Sequence, residues 1–494
     1  MITFKVASPR VILYISRHFL GIIVSLMVSI SGIRGIVGSS LTPETIVKYS
    51  SAFAEYCHRG KIIIGRDGRI TGKPIGNIVS STLLSMGCNV VAIGICPTPT
   101  IQLAVERSGA AGGISVTASH NPLNWNGLKF LDSTGLFLDA DQNRDFLAIA
   151  DSPNRIYAFW DRIGHHETGE RFIEDHVKSI LDLSYLNLRA LRKRKFKVVV
   201  DCVNAAGAVI VPLLLRKLGC NVIEMNCDLS GIFAHAPEPI PENLASLRRR
   251  VKHEKADLGI AVDPDVDRLV LIDERGEPFG EEYTIASIIK FVLERETRSS
   301  SKGRKKRTIP LRVVTNLSTT RAVDDIARQY GAESIRTAVG EINVAKRMKE
   351  TGALIGGEGS GGVILPKVHL GRDASVGIGL ALQHLAEFGG TLSELKKSLP
   401  RYFITKGKIE IGSLDPDGVL ESLQRQFAGQ GTATTIDGLK IDFPDSWVHI
   451  RKSNTEPILR VIAEAPDKVR ADELVAEFSR AALRTDQKGG RKQQ

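Results

Sequence analysis

Three times along the chain the same order recurs: an apolar strand, a polar loop, a helix, a glycine and a second strand. The first copy starts with KIII at 61–64, passes through GRDGRITG and a helix ending at Met86, and reaches Gly87-Cys88-Asn89-Val90. The second starts with KVVV at 197–200, passes through DCVNAAG and a helix ending at Leu218, and reaches Gly219-Cys220-Asn221-Val222. The third starts with RVV at 312–314, passes through TNLSTT and a helix reaching Tyr330, and ends at Gly331 and a strand. Each glycine falls where the helix end calls for a left-handed residue, a conformation open to glycine because it lacks Cβ. A strand–helix–strand unit of this length closes as a right-handed crossover between parallel strands. The spacing of Gly87, Gly219 and Gly331 (132 and 112 residues) and the Gly-Cys-Asn-Val shared by the first two copies predict three related α/β domains.

The C-terminal part follows another rule. Residues 432–436, 439–443, 448–451 and 458–463 read as short strands separated by turn residues such as Asp437-Gly438 and Pro444-Asp445, and 466–483 as a closing helix. That pattern predicts an α+β domain built on a meander. The expected architecture is therefore α/β, with three similar domains having mixed, largely parallel sheets and a C-terminal α+β domain. Expected boundaries are 27–165, 166–275, 276–398 and 399–485, with an N-terminal extension at 1–26 and a basic tail at 486–494.

The net charge of +11 suggests nucleic acid until it is placed. Residues 1–26 carry three basic residues, 298–307 carry six and 488–494 carry three, with no acid in those segments, so the rest of the chain sums to −1. A neutral body excludes a broad basic binding face, and SSSKGRKKR at 299–307 reads as a solvated surface loop. Six scattered cysteines without a C-x-x-C pair read as buried, reduced thiols of a cytoplasmic protein. The apolar stretch at 19–30 is short for a membrane span and has no A-x-A site after it. Residues 1–26 are expected to be a dispensable extension, with Met27 as a start, and no membrane partner is expected.

Four segments carry chemistry. Asp263-Pro264-Asp265-Val266-Asp267-Arg268 lies between two strands, and its three alternating carboxylates can converge on a hard cation such as Mg²⁺ or Mn²⁺. Glu274 falls at the twelfth position of an EF-hand count, but Arg268 stands where that loop needs glycine and the flanks are strands. A phosphatase that opens D-x-D after a strand is the other reading of this loop. Thr117-Ala118-Ser119-His120-Asn121-Pro122 ends an apolar strand in a serine suited to nucleophilic or phosphate-carrying work. It is not a G-x-S-x-G elbow. In an extended chain His120 would point away from Ser119 and could not serve as its base.

Gly356-Gly357-Glu358-Gly359-Ser360-Gly361-Gly362 lacks the Lys-Ser/Thr of a P-loop, yet Glu358 and Ser360 could hydrogen-bond vicinal hydroxyls of a sugar. Arg451-Lys452-Ser453-Asn454-Thr455, with Arg460 on the next strand, forms an anion cradle suited to phosphate.

Together, and in this order, the four segments resemble the α-D-phosphohexomutase family, which comprises phosphoglucomutases, phosphomannomutases and phosphoglucosamine mutases. The resemblance covers about residues 27–485, one motif per domain. It implies three α/β domains and a TATA-binding-protein-like fourth domain around a central cleft. It implies that Ser119 carries the phosphoryl group, and that Asp263, Asp265 and Asp267 hold Mg²⁺, which also touches the phosphate on Ser119. Glu358 and Ser360 would read the sugar, and Arg451, Ser453, Asn454, Thr455 and Arg460 would clamp the other phosphate. Arg34 and Arg268 would neutralise the phosphoserine, Lys129 would be the acid/base, and His120 would border the site.

The implied reaction interconverts 6-phospho and 1-phospho hexoses through a bisphosphate, with sugar 1,6-bisphosphate as activator, in a monomer or homodimer. Ala338-Val339-Gly340-Glu341 resembles the Val-Gly-Asp loop of phosphoglucosamine mutases more than the Gly-His loop of phosphomanno/phosphoglucomutases. Gly362 stands where both bacterial groups usually carry histidine. Glucosamine phosphate is the expected substrate, with mannose or glucose phosphate as the alternative.

Overall fold

The computed structural model describes residues 25–301, 310–411, 415–453 and 458–489. Residues 1–24 of the expected extension, most of the basic loop, the end of the tail, and Asn454 and Thr455 lie outside the described residues.

The three expected repeats share one topology. In each, a central strand pairs in parallel with two neighbours, and the second neighbour pairs antiparallel with the next strand in sequence. In the first repeat the spatial order is Val90–Ile95, Ile62–Arg66, Gly112–Val116, Trp125–Leu131. In the second it is Asn221–Met225, Lys197–Asp201, Leu258–Val262, Leu269–Asp273. In the third it is Glu333–Thr337, Arg312–Asn316, Ile355–Glu358, Gly362–Leu365. The cap glycines behave as their position requires: φ is +90° at Gly87, +86° at Gly219 and +63° at Gly331.

Each repeat is extended differently. The first sheet gains Met27–Ser29 and Gly32–Ile36 at one edge and His166–Thr168 at the other, making seven strands. That last strand, paired with Val90–Ala92, lies just beyond the boundary expected at 165. The third sheet gains His369–Arg372. The fourth domain is an antiparallel sheet in the order Phe403–Glu410, Ile458–Ala465, Trp447–Lys452, Leu439–Asp442, Thr432–Thr434, closed by the helix Lys468–Gly489. The meander is as expected; Phe403–Glu410 and the helix Pro416–Gln426 add to it.

This topology places the chemistry. The serine loop, the acid loop and the Gly-rich loop are the same hairpin in the three repeats, linking the last parallel strand to the antiparallel one. The left-handed residues in those turns are Ser119 (φ 50°), Val266 (φ 61°) and Gly361 (φ 86°). The strands Trp447–Lys452 and Ile458–Ala465, which flank the fourth segment in the sequence, are likewise an antiparallel pair.

The second and third domains share one hydrophobic core running from Val177 to Leu399, whereas the fourth has its own around Leu423, Val461 and Phe478. Polar contacts join the fourth domain to the third: Ser318 Oγ to His449 Nδ1 at 2.8 Å, Arg321 N to Glu464 Oε1 at 2.9 Å and Val339 N to Asp437 Oδ2 at 2.9 Å. Separate cores and a polar seam suit a domain that moves relative to the others. All six cysteines are free; Cys220 and Cys227 are half-buried rather than buried as expected. Among the described residues, no helix is long and apolar enough to cross a membrane.

Candidate active site

Ser119 is 2% exposed, and its Oγ lies 3.1 Å from Asp263 Oδ2 across the boundary between the first two domains. Its left-handed backbone curls the loop, and this corrects the extended-chain expectation for His120, whose Nδ1 stands 3.3 Å from Ser119 Oγ. The loop is held by Arg69, a fully buried arginine whose five N–H donors are all engaged. Its Nε binds Asp67 Oδ2 at 3.0 Å; its Nη atoms bind the carbonyls of Ser119, Asn121 (2.8 Å), Pro122 (2.7 Å) and Trp125 (3.0 Å). Asp67 also accepts from Thr117 Oγ1 at 2.7 Å, and Thr117 Oγ1 accepts from Ser119 N at 2.9 Å.

The acid loop converges as expected: one carboxylate oxygen from each of Asp263, Asp265 and Asp267 lies within 4.8 Å of the others, all three residues being buried. Asp263 Oδ1 accepts from the backbone of Asp267 and Arg268. Asp265 Oδ1 and Asp267 Oδ1 are buried without a hydrogen-bond partner. Burial and then the charges of Asp267 and Asp265 push the Asp263 carboxyl well above the usual range. Burial also opposes ionisation of Asp265, but the Lys129 ammonium outweighs it and holds that group below its ordinary value. Bare buried carboxylate oxygens, mutual repulsion and an adjacent serine oxygen fit a hard, oxygen-seeking divalent cation. Glu274, the EF-hand lookalike, instead binds Ser393.

Positive groups crowd the same point. Lys129 Nζ is 2.6 Å from Asp265 Oδ2 and 3.7 Å from Asp267 Oδ2. Arg34 Nη1 donates to Asn121 Oδ1 at 3.1 Å, and burial lowers the pKa of Arg34. Arg268 Nε is buried without a hydrogen-bond partner, 3.8 Å from Asp267 Oδ1. The Arg268 charge, burial and the Arg34 charge together lower the His120 pKa to about 2. His120 is thus a neutral ring beside Ser119, and the surrounding field is one that welcomes an anion.

In the third domain Glu358 is gripped on both oxygens: Oε1 by Asn316 Nδ2 (2.8 Å) and Gly340 N (3.0 Å), Oε2 by Arg372 Nη1 (2.5 Å). Ser360 is half-buried at the loop tip. Glu341 of the expected specificity loop turns inward: its carboxylate meets Arg372 and Gln102.

In the fourth domain Arg451 and Arg460 face each other across the antiparallel pair, and Arg460 Nε donates to Ser453 Oγ at 3.3 Å. Like charges directly opposite are unfavourable unless an anion lies between them. Arg451 Nε is buried without a partner, and its pKa is lowered by burial, with Glu358 among the charges acting on it.

Sequence reading missed three residues here. Arg69 lies in GRDGRITG, which reads as an ordinary polar loop. Thr98 donates from Oγ1 to Asp265 Oδ2 at 3.1 Å and from N to Asp265 O at 3.0 Å. Arg372 bonds Asp267 and Glu358 from the strand His369–Arg372. A buried or half-buried arginine and a lone prolyl-threonine have no sequence signature of their own; only proximity in the fold reveals them.

The chain is similar along most of its length to known proteins. Residues 26–154, 172–276 and 283–403 match models of the phosphoglucomutase/phosphomannomutase α/β/α domains I, II and III, and 415–481 the C-terminal domain model. A protein of Methanopyrus kandleri named a probable phosphoglucosamine mutase is 37% identical over 91% of this chain and 96% of its own. A phosphoglucomutase/phosphomannomutase of Thermococcus kodakarensis is also 37% identical, over 90% of this chain and 95% of its own. The crystal structure of a phosphoglucomutase/phosphomannomutase family protein from Burkholderia thailandensis superposes with a TM-score of 0.79 at 25% identity, covering 93% of this chain and 98% of that one.

Proposed function

We infer the activity from the family, because this chain belongs to the phosphoglucomutase/phosphomannomutase family, whose domains match along its length. It is a phosphohexomutase that moves a phosphoryl group between the 6- and 1-positions of a hexose through a phosphoserine enzyme and a bisphosphate. The sugar we assign is glucosamine phosphate, supported by the Val339-Gly340-Glu341 loop; mannose or glucose phosphate is the second reading.

One observation carries the mechanism: the Ser119 hydroxyl stands 3.1 Å from a carboxylate of a buried triad, and its neighbour His120 lies in the field of Arg268, Arg34 and Lys129. Phosphoryl transfer depends on positioning and on neutralising charge. Asp263, Asp265 and Asp267 would hold Mg²⁺, which when bound supplies Lewis-acid stabilisation of phosphoryl oxygens. Arg34 and Arg268 balance the dianion on Ser119, and the Arg69 clamp fixes the serine against the acid loop. The Ser119 O–P bond breaks as the sugar O–P bond forms. The Lys129 ammonium gives a proton to the departing serine oxygen and takes up the proton of the accepting hydroxyl, and the second half-reaction runs the same exchange between the departing sugar oxygen and the Ser119 hydroxyl. Neutral His120 borders the serine.

Glu358 and Ser360 read the sugar hydroxyls, while Arg451, Ser453 and Arg460 grip the phosphate that is not in transit. Asn454 and Thr455, the other residues of that clamp, fall outside the described residues. A clamp on a separately cored domain can release and regrip the bisphosphate as it turns. The test is a coupled assay comparing the 6-phosphates of glucosamine, mannose and glucose, with intact-mass detection of one added phosphoryl group on the resting enzyme. Fastest turnover of glucosamine 6-phosphate is expected. Release of inorganic phosphate from all three, without isomerisation, would overturn the mutase reading in favour of a phosphatase.

A further inference from the structure

Gly362 opens the strand that leaves the sugar loop, and the reason for glycine there is space. A Cβ at this position would lie 2.3 Å from Arg372 Cδ and 3.0 Å from its Cγ, and the third nearest atom, Nε at 3.3 Å, belongs to the same side chain. Arg372 runs through the gap and spreads its guanidinium over three carboxylates from two domains. Nη2 meets Asp267 Oδ2 at 2.5 Å, Nη1 meets Glu358 Oε2 at 2.5 Å and Nε meets Glu341 Oε2 at 3.1 Å. Its backbone N also donates to Glu341 Oε1 at 3.1 Å. A planar fork can serve three acids at fixed angles; an ammonium is a point charge.

We propose that Arg372 is the positioning residue that couples the acid loop to the sugar-reading carboxylate, and that Gly362 is bare in order to admit it. The inference rests on the reading of Asp267 as a cation ligand and Glu358 as the sugar contact. Arg372 partly neutralises Asp267, which weakens the pull of the acid loop on a cation. The same guanidinium holds Glu358 in place. Loss of Arg372 therefore moves two affinities in opposite directions, tighter for the cation and weaker for the sugar phosphate. General misfolding would weaken both.

The experiment measures Mn²⁺ binding to the sugar-free enzyme by electron paramagnetic resonance, alongside KM and kcat for the best sugar phosphate. Arg372→Gln should tighten Mn²⁺ binding roughly tenfold and raise KM roughly tenfold, as expected for a removed charge and a lost charged hydrogen bond. Arg372→Lys keeps the charge, so Mn²⁺ binding should stay within about twofold of wild type while KM still rises. Gly362→Ala leaves every charge in place and displaces only Arg372, so it should raise KM as Arg372→Lys does. Introduced into Arg372→Ala, which lacks the Cγ and Cδ that the new Cβ would meet, the same alanine should change KM by less than about twofold. Additive effects of the two substitutions, or weaker Mn²⁺ binding in Arg372→Gln, would overturn the coupling. A wild-type enzyme that binds no Mn²⁺ would instead overturn the cation reading, and the inference with it.

Discussion

Two buried clusters look alike on paper and behave oppositely. Asp263, Asp265 and Asp267 form one; His176, His369 and Asp373 form the other, and both bring three potential metal-ligating atoms within 4.8 Å. In the second, every acceptor of Asp373 is answered. Oδ2 meets His176 Nε2 at 2.7 Å and His369 Nε2 at 3.1 Å, and Oδ1 accepts from Ser375 N at 2.8 Å and Val376 N at 3.2 Å. Asp373 is also the N-cap of the helix Ala374–Phe388. The His176 Nδ1 faces Thr100 Oγ1 at 2.8 Å, so the cluster ties the first three domains together. In the first cluster two buried carboxylate oxygens have no hydrogen-bond partner. Ligand types at the right spacing therefore do not define a metal site; unsatisfied negative valence does. The acid triad suits a cation, whereas in the histidine cluster the carboxylate is fully hydrogen-bonded and the atom left without a hydrogen-bond partner is His369 Nδ1, a ring nitrogen rather than a carboxylate oxygen.

The largest expected effect breaks the symmetry by chemistry. Ser119→Ala removes the oxygen that bonds Asp263 and should lower turnover by roughly 10⁴-fold or more, with no comparable loss of melting temperature; wild-type-like turnover would sink the mechanism.

Next, chelation or Asp265→Asn should cost on the order of 10²–10³ in activity, and added Mg²⁺ should restore the chelated wild type. Undiminished activity after thorough chelation would show the first cluster to be as self-sufficient as the second.

Asp373→Asn should do the reverse, destabilising the fold by about 3 kcal/mol while leaving the Mg²⁺ concentration for half-maximal rate unchanged. Burial raises the Asp373 pKa, but His176 and His369 outweigh it and hold the group below its ordinary value. Its stabilisation is therefore complete above the unfolded carboxylate pKa of about 3.9, and is lost as pH falls from there toward the depressed folded value. The gap between wild type and Asp373→Asn in chemical denaturation should narrow below that pH; a constant gap would refute the ionised Asp373.

The smallest effect sharpens the contrast: Thr100→Val removes one hydrogen bond at the outer edge of the histidine cluster and should cost about 1 kcal/mol without touching KM. A shifted KM would mean that the two clusters are coupled after all.

Much of this was legible in the linear chain. Strand–helix–glycine periodicity, three cap glycines and four loops rich in Asp, Ser, Gly or Arg are local patterns, and local backbone physics enforces them wherever the chain goes. They were enough to anticipate three repeats, a different fourth domain, and the loops that carry Ser119, the three aspartates, Glu358 and Arg451. Other features had no local trace. His120 approaches Ser119 only because the serine adopts φ 50°. Arg69 looks like part of any polar loop until it closes on four carbonyls. Arg372 and Asp267 are 105 residues apart, Ser119 and Asp263 are 144 apart, and His176 and Asp373 are 197 apart. Sequence by itself determined the repeated hairpins and which side chains they present, because turn chemistry and periodicity act over a few residues. Only the tertiary structure decided which acid is answered by which base, because domain packing over long separations determines which charges share a buried volume, and burial makes an unanswered charge costly.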